Sequence, residues 1–139
     1  MAKLVLNIEY DFDFILIGIS CHEKDYRLSW TINNKLGIDL SKEKDLEIDV
    51  KKHKEPMAHS FFAFEEEDQF KQFYLINNRG TKGLLIPEQK QADYFLIIKG
   101  KVSPEEKTAY LKNVNDIPMI LMAFDIIPST LKSKENLLF

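Results

Sequence analysis

Residues 94–127 read YFLIIKGKVSPEEKTAYLKNVNDIPMILMAFDII, and this stretch decides the fold. Tyr94, Phe95, Leu96, Ile97 and Ile98 form an unbroken apolar run, the pattern of a strand buried on both faces. Ser103, Pro104 and Glu106 then stand where an N-cap, a first helical residue and a capping-box partner belong. Pro118 ends that helix. Residues 119–127, with an apolar run over 119–124, are closed by Pro128 and read as a further buried strand. If the two strands are parallel in one sheet, the helix must cross over right-handedly.

Working towards the N-terminus, Phe14-Ile15-Leu16-Ile17-Gly18-Ile19 is apolar on both parities and predicts a second fully buried strand. Before it, Leu4, Leu6, Ile8, Tyr10, Phe12 and Phe14 share one parity. Lys3, Asn7, Glu9, Asp11 and Asp13 share the other, so residues 3–14 read as a strand with one wet face and a break over 9–13. Ser20-Cys21-His22-Glu23 has capping-box spacing and predicts a helix running to about Leu36, with Gly37 as its left-handed terminator. Leu28, Ile32 and Leu36, flanked by Tyr26 and Trp30, predict a broad buried face. Leu46, Ile48 and Val50 alternate with acids and predict a short edge strand ending at Lys51, Lys52 and Lys54.

Residues 60–64 and 70–76 are aromatic-rich and flank Glu65-Glu66-Glu67-Asp68-Gln69, which predicts a β-hairpin. A turn over 77–83, a short strand over 84–86 and a tight segment from Pro87 follow. The order reduces to βαββαβ. We therefore expect an α+β sandwich of ferredoxin-like split βαβ layout, mainly antiparallel, with two helices and extra N-terminal and edge strands. Residues 1–128 are expected to form one domain, and 129–139 a tail docked through its apolar end.

The chain has 139 residues and a formal charge of −3, from 19 basic and 22 acidic residues. Only Arg27 and Arg79 are arginine, which argues against nucleic-acid binding, where arginine makes most bidentate contacts. Cys21 is the single cysteine, so no intramolecular disulfide or Cys-based zinc site is expected. His53 and His59 lack helical ligand spacing, and no metal or cofactor is expected. No apolar run is long enough to span a bilayer. With a single cysteine and no leader-like N-terminus, a cytoplasmic protein is expected.

Ile86-Pro87-Glu88-Gln89-Lys90-Gln91-Ala92-Asp93-Tyr94 resembles the signature of the bacterial IPExxxVDY family, of Bacteroidota type, with Ala92 in place of valine. Lys24-Asp25-Tyr26-Arg27-Leu28, Trp30 and the ending over 132–139 share the resemblance. That family is uncharacterised, so the resemblance implies no catalytic residues. It does imply a neighbourhood of fatty-acid-synthesis genes and points towards an acyl carrier protein as partner.

Several residues carry alternative chemistries. Glu88 and Asp93 are either a carboxylate pair for acid–base work or cation binding, or caps in a turn held by Pro87. Cys21, if first in a helix, gains thiolate character from the macrodipole; otherwise it is an inert buried thiol. Arg27 beside Trp30 either binds an anionic group or simply covers the aromatic stripe. The leading expectation is a non-enzymatic ligand- or protein-binding regulatory module using Tyr26, Arg27, Trp30, Glu88, Asp93 and Tyr94. One alternative is a small enzyme using Glu88 and Asp93, or Cys21. Another is an adaptor that meets an acidic carrier protein through Lys51, Lys52 and Lys54. Residues 119–127, taken as an apolar edge strand, motivate the expectation of a homodimer.

Overall fold

The computed structural model describes residues 14–49, 54–137 and 139. Residues 3–13 of the strand expected over 3–14, and Val50, Lys51, Lys52, His53 and Leu138, lie outside the described residues.

The elements are β1 (Ile15–Ser20), α1 (Asp25–Leu36), β2 (Ser41–Lys42), β3 (Leu46–Ile48), β4 (Met57–His59), β5 (Phe61–Glu66), β6 (Lys71–Asn77), β7 (Tyr94–Gly100), α2 (Pro104–Asn115) and β8 (Met122–Ile126). A six-stranded sheet runs in the order β2-β5-β6-β7-β1-β8, and β3 pairs with β4 apart from it. Every neighbouring pair is antiparallel. β1 therefore lies between β7 and β8, which run parallel to each other and are joined by α2.

The unbroken apolar runs follow from burial on both sheet faces. On one face Ile17, Ile19, Phe73, Leu75, Leu96 and Ile98 pack with Leu28 and Ile32 of α1 and Val114 of α2. On the other, Leu16, Ile76, Phe95 and Ile97 pack with Leu85, Ile86 and Ala92 of the β6–β7 connection and with Leu131 and Leu137 of the tail. The second face is thus roofed by irregular chain, not by helices. Gly18 makes room there, because a Cβ at this position would lie 2.6 Å from the Phe124 ring.

The aromatic hairpin forms as expected, with Phe61 opposite Ile76 and Phe64 opposite Phe73. α2 carries the full expected capping box between Ser103 and Glu106, with Pro104 at its start. Glu106 also receives the buried Lys71 ammonium, which ties β6 to the start of α2.

Four expectations are corrected. Ser20 does not cap a helix: it ends β1, paired with Met122, and its carbonyl accepts from Leu121 N–H at 2.9 Å. α1 begins at Asp25 after an N-cap Lys24 that makes no side-chain cap, and Gly37 closes it at φ 68° as expected. The buried face of α1 is narrow, made by Leu28, Ser29 and Ile32, because Tyr26 and Trp30 turn to solvent. Residues 84–86 form no strand, only a single bridge between Leu84 and Arg79. β8 lies at the sheet edge, where the dimer expectation placed it, but is not buried on both faces: Met122 and Asp125 are exposed and Phe124 is half-buried.

Candidate functional site

The segment from Asn78 to Tyr94 is shaped by one side chain. Asn78, fully buried, accepts from Ile86 N–H through Oδ1 at 2.9 Å. Its Nδ2 donates to the carbonyls of Ala92 and Gln89, at 2.8 and 3.1 Å. Its backbone N–H donates to Asp93 O, and its carbonyl accepts from Leu85 N–H. A carboxamide offers two donors and an acceptor, so a single asparagine satisfies several otherwise orphaned backbone groups of a buried loop.

Within that loop Glu88 and Asp93 go to different places. Glu88 accepts from the Ser133 backbone N–H at 2.7 Å and from its hydroxyl at 2.9 Å. Burial pushes its carboxyl up, but these bonds outweigh burial and hold it below its ordinary value. Asn136 adds a bond to Leu85 O at 2.8 Å, so the tail is fastened over the β6–β7 connection. Phe139 meets Phe61 and Tyr74 edge-on, with centroids 5.2 and 5.1 Å away.

Asp93 faces the connection between β1 and α1. Its Oδ2 accepts from Cys21 N–H and its Oδ1 from Arg79 Nε, both at 2.9 Å. The next residue, Tyr94, donates its hydroxyl to Glu23 O at 2.7 Å. Each carboxylate therefore caps a free amide, and the two do not act as a pair.

Two hollows adjoin this connection. A polar cavity of about 240 Å³ is lined by Cys21, His22, Glu23, Asn77, Arg79, Asp93 and Tyr94. Beside it, a groove of about 520 Å³ is lined by Tyr26, Arg27, Trp30, Thr31 and Met119. Arg27 Nε lies 3.5 Å from Glu23 Oε1, so one ion pair joins a wall of the cavity to a wall of the groove. The expected residues thus divide: Tyr26, Arg27 and Trp30 share the groove, Asp93 and Tyr94 share the cavity, and Glu88 stays with the tail.

Cys21 is buried at the cavity wall, in no helix, and burial pushes its thiol pKa up. The thiolate form required of a nucleophile is thereby disfavoured. Burial, with help from Asp25, Asp93 and Glu23, pushes the Tyr94 phenol up to about 12. Among the described residues no three His, Cys, Asp or Glu side chains are placed to hold a metal ion. No described helix is long and apolar enough to cross a membrane.

Sequence reading missed Asn78, Arg79 and Ser133. Arg79 carried one usable signal, being one of only two arginines among 19 basic residues. Asn78 and Ser133 carried none, since polar residues in a turn or a tail look alike until their partners are known. No protein-family model and no curated protein matches the chain.

Proposed function

We propose that this protein is a non-enzymatic binding module that takes a protein partner in the groove beside α1. One observation carries the reading: Trp30 and Tyr26 are 68% and 60% exposed and line a single groove with Arg27 and Met119. Tryptophan is highly buried on average, and Trp, Tyr and Arg are the side chains that dominate interface energetics. Leu121 and Met122 add further exposed apolar surface just after Met119. The chemistry nearby favours binding over catalysis. Glu88 and Asp93 are each committed to structural bonds, and the Cys21 thiol is buried.

The strand order β8-β1-β7-β6 and the helical links β1–α1 and β7–α2–β8 support a ferredoxin-like split βαβ layout with β5 and β2 added beyond β6. Membership of the IPExxxVDY family belongs to the same proposal. In it the Ile-Pro-Glu and Asp-Tyr parts of the signature fasten the tail and the β1–α1 connection. A second copy pairing along β8 is the less favoured partner, because Asn115 already occupies both backbone groups of Ala123 on that edge.

The test is a photo-crosslinking residue placed at Thr31, in the groove, or at Thr108, exposed on α2, with both proteins expressed in the native cell. The expected result is a discrete adduct from Thr31 that is absent from Thr108 and lost when Trp30→Ala is added. Equal labelling at both positions, or an adduct indifferent to Trp30→Ala, overturns the reading.

A further inference from the structure

The polar cavity offers chemistry that the groove does not use. Arg79 extends over it with its side chain 60% exposed. Its backbone N–H donates to Asn77 Oδ1 at 2.8 Å, and its Nε donates to Asp93 Oδ1 at 2.9 Å. Guanidinium has five N–H donors. Among the described residues no hydrogen bond takes those on Nη1 and Nη2.

The fork is also held in place. Asp93 is 9% exposed, its second oxygen accepts from Cys21 N–H, and its own N–H donates to Ile19 O at 2.8 Å. Asp93, which seats Arg79, is therefore held at the end of β1 through both its carboxylate and its backbone, and presenting the outer N–H groups needs little reorganisation. Glu23, the other carboxylate on the cavity wall, is matched by Arg27. Arg79, on the cavity wall, thus keeps a pair of charge-bearing donors with parallel geometry, which suits two oxygens of one group. At about 240 Å³ the space is below the roughly 300 Å³ at which pockets for whole drug-sized ligands begin, so it fits a headgroup.

We propose that this cavity is a subsite for an oxyanion, a carboxylate or a phosphate, gripped by Nη1 and Nη2 of Arg79 in the orientation set by Asp93. The proposal goes beyond the groove reading and stands or falls without it, since no groove residue enters the test.

The test is a titration of the ¹⁵N-labelled full chain with sodium acetate and, separately, with inorganic phosphate, at ionic strength held constant with chloride. Saturable amide shifts are expected at Cys21, His22 and Arg79 with at least one of the two anions. Saturation by acetate alone assigns a carboxylate, and saturation by phosphate alone a phosphate. Arg79→Ala, and Arg79→Lys with its charge kept but its fork lost, should each weaken binding by at least about tenfold. The neighbouring Lys82→Ala should leave it unchanged. Arg79 is largely exposed, and an otherwise unaltered spectrum will show that the variants keep the fold. Shifts that never saturate with either anion, or that persist at equal affinity in Arg79→Ala, overturn the proposal.

Discussion

At the residue scale, Tyr94 shows how one hydroxyl can matter more than its ring. Its O–H donates to Glu23 O across a separation of 71 residues, joining the start of β7 to the loop before α1. Tyr94→Phe removes the donor and leaves a part-buried carbonyl unmatched, so urea unfolding at neutral pH should show a loss of about 1–2 kcal/mol. The effect has a pH signature. Burial raises the folded phenol from its ordinary value near 10 to about 12, so the folded state holds this proton more tightly than the unfolded chain does. The contribution is whole below pH 10 and is lost as pH rises towards 12. The difference between wild type and Tyr94→Phe should therefore shrink on going from pH 8 to about pH 11; a difference that stays constant would sink the argument. Residue-level signals of this kind were only partly legible in the sequence. Ser103 and Ser20 have the same spacing to a following glutamate, yet only Ser103 caps a helix. Pro104 commits the chain to helix directly after Ser103, whereas Ser20 is still held in the sheet by Met122 and Leu121.

At the scale of elements, β8 is where pattern and position part company. Its apolar run resembles those of β1 and β7, but composition does not tell a central strand from an edge. The edge is handled by α2. Asn115, the last residue of that helix, accepts from Ala123 N–H at 2.8 Å and donates to Ala123 O at 2.9 Å. Its carboxamide copies the two hydrogen bonds that a residue of a neighbouring strand would make. Lys107 of α2 adds an ion pair to Asp125 at 3.0 Å. Natural sheets block their open edges by such devices, since unpaired N–H and C=O groups recruit other chains. Asn115→Ala uncovers Ala123 between the exposed Met122 and the half-buried Phe124. The variant should self-associate in sedimentation velocity at concentrations where the wild type does not, and should lose about 1–2 kcal/mol of stability. Unchanged sedimentation would mean that Asn115 does not guard the edge.

Across the whole molecule, the helical layer was legible and the opposite layer was not. Helix α2 and the termination of α1 are written in local signals, Ser-Pro-x-Glu and Gly37, and the hairpin in adjacent aromatic runs. The second face is closed by Asn78, whose side-chain partners lie 8 to 14 residues away, and by Glu88 and Ser133, 45 residues apart. No periodicity announces pairings of that range. For the same reason the candidate site was half legible. Tyr26, Arg27 and Trp30 sit on one helix and share a groove, while Arg79 joins Asp93 only through the loop that Asn78 shapes. One more long-range feature of this layer sets an acid response for the fold. His59 is fully buried; its Nδ1 donates to Asn77 O at 2.8 Å, while Nε2 meets no partner among the described residues. Gly80 lies against the ring on its Cε1–Nε2 side, since a Cβ there would come to 2.5 Å from Cε1 and 2.7 Å from Nε2. Burial lowers the His59 pKa below 6.5, against the smaller opposing effects of the Asn77 carbonyl and the Asp45 carboxylate. On the covering loop, Lys82 is exposed and Arg79 is turned to Asp93, so neither donates to the bare Nε2 of the ring. The unfolded chain therefore binds this proton more readily than the folded one, and stability is whole above about pH 6.5 and falls as pH drops through it. Glu88, Glu106 and Asp116, all held below their ordinary values, lose their contributions only at lower pH, below about 4.5. Urea unfolding between pH 7.5 and about pH 5 should thus show a decline in the wild type that His59→Gln flattens, whatever that variant does to stability at neutral pH. An equal decline in both proteins would place the acid response elsewhere in the molecule.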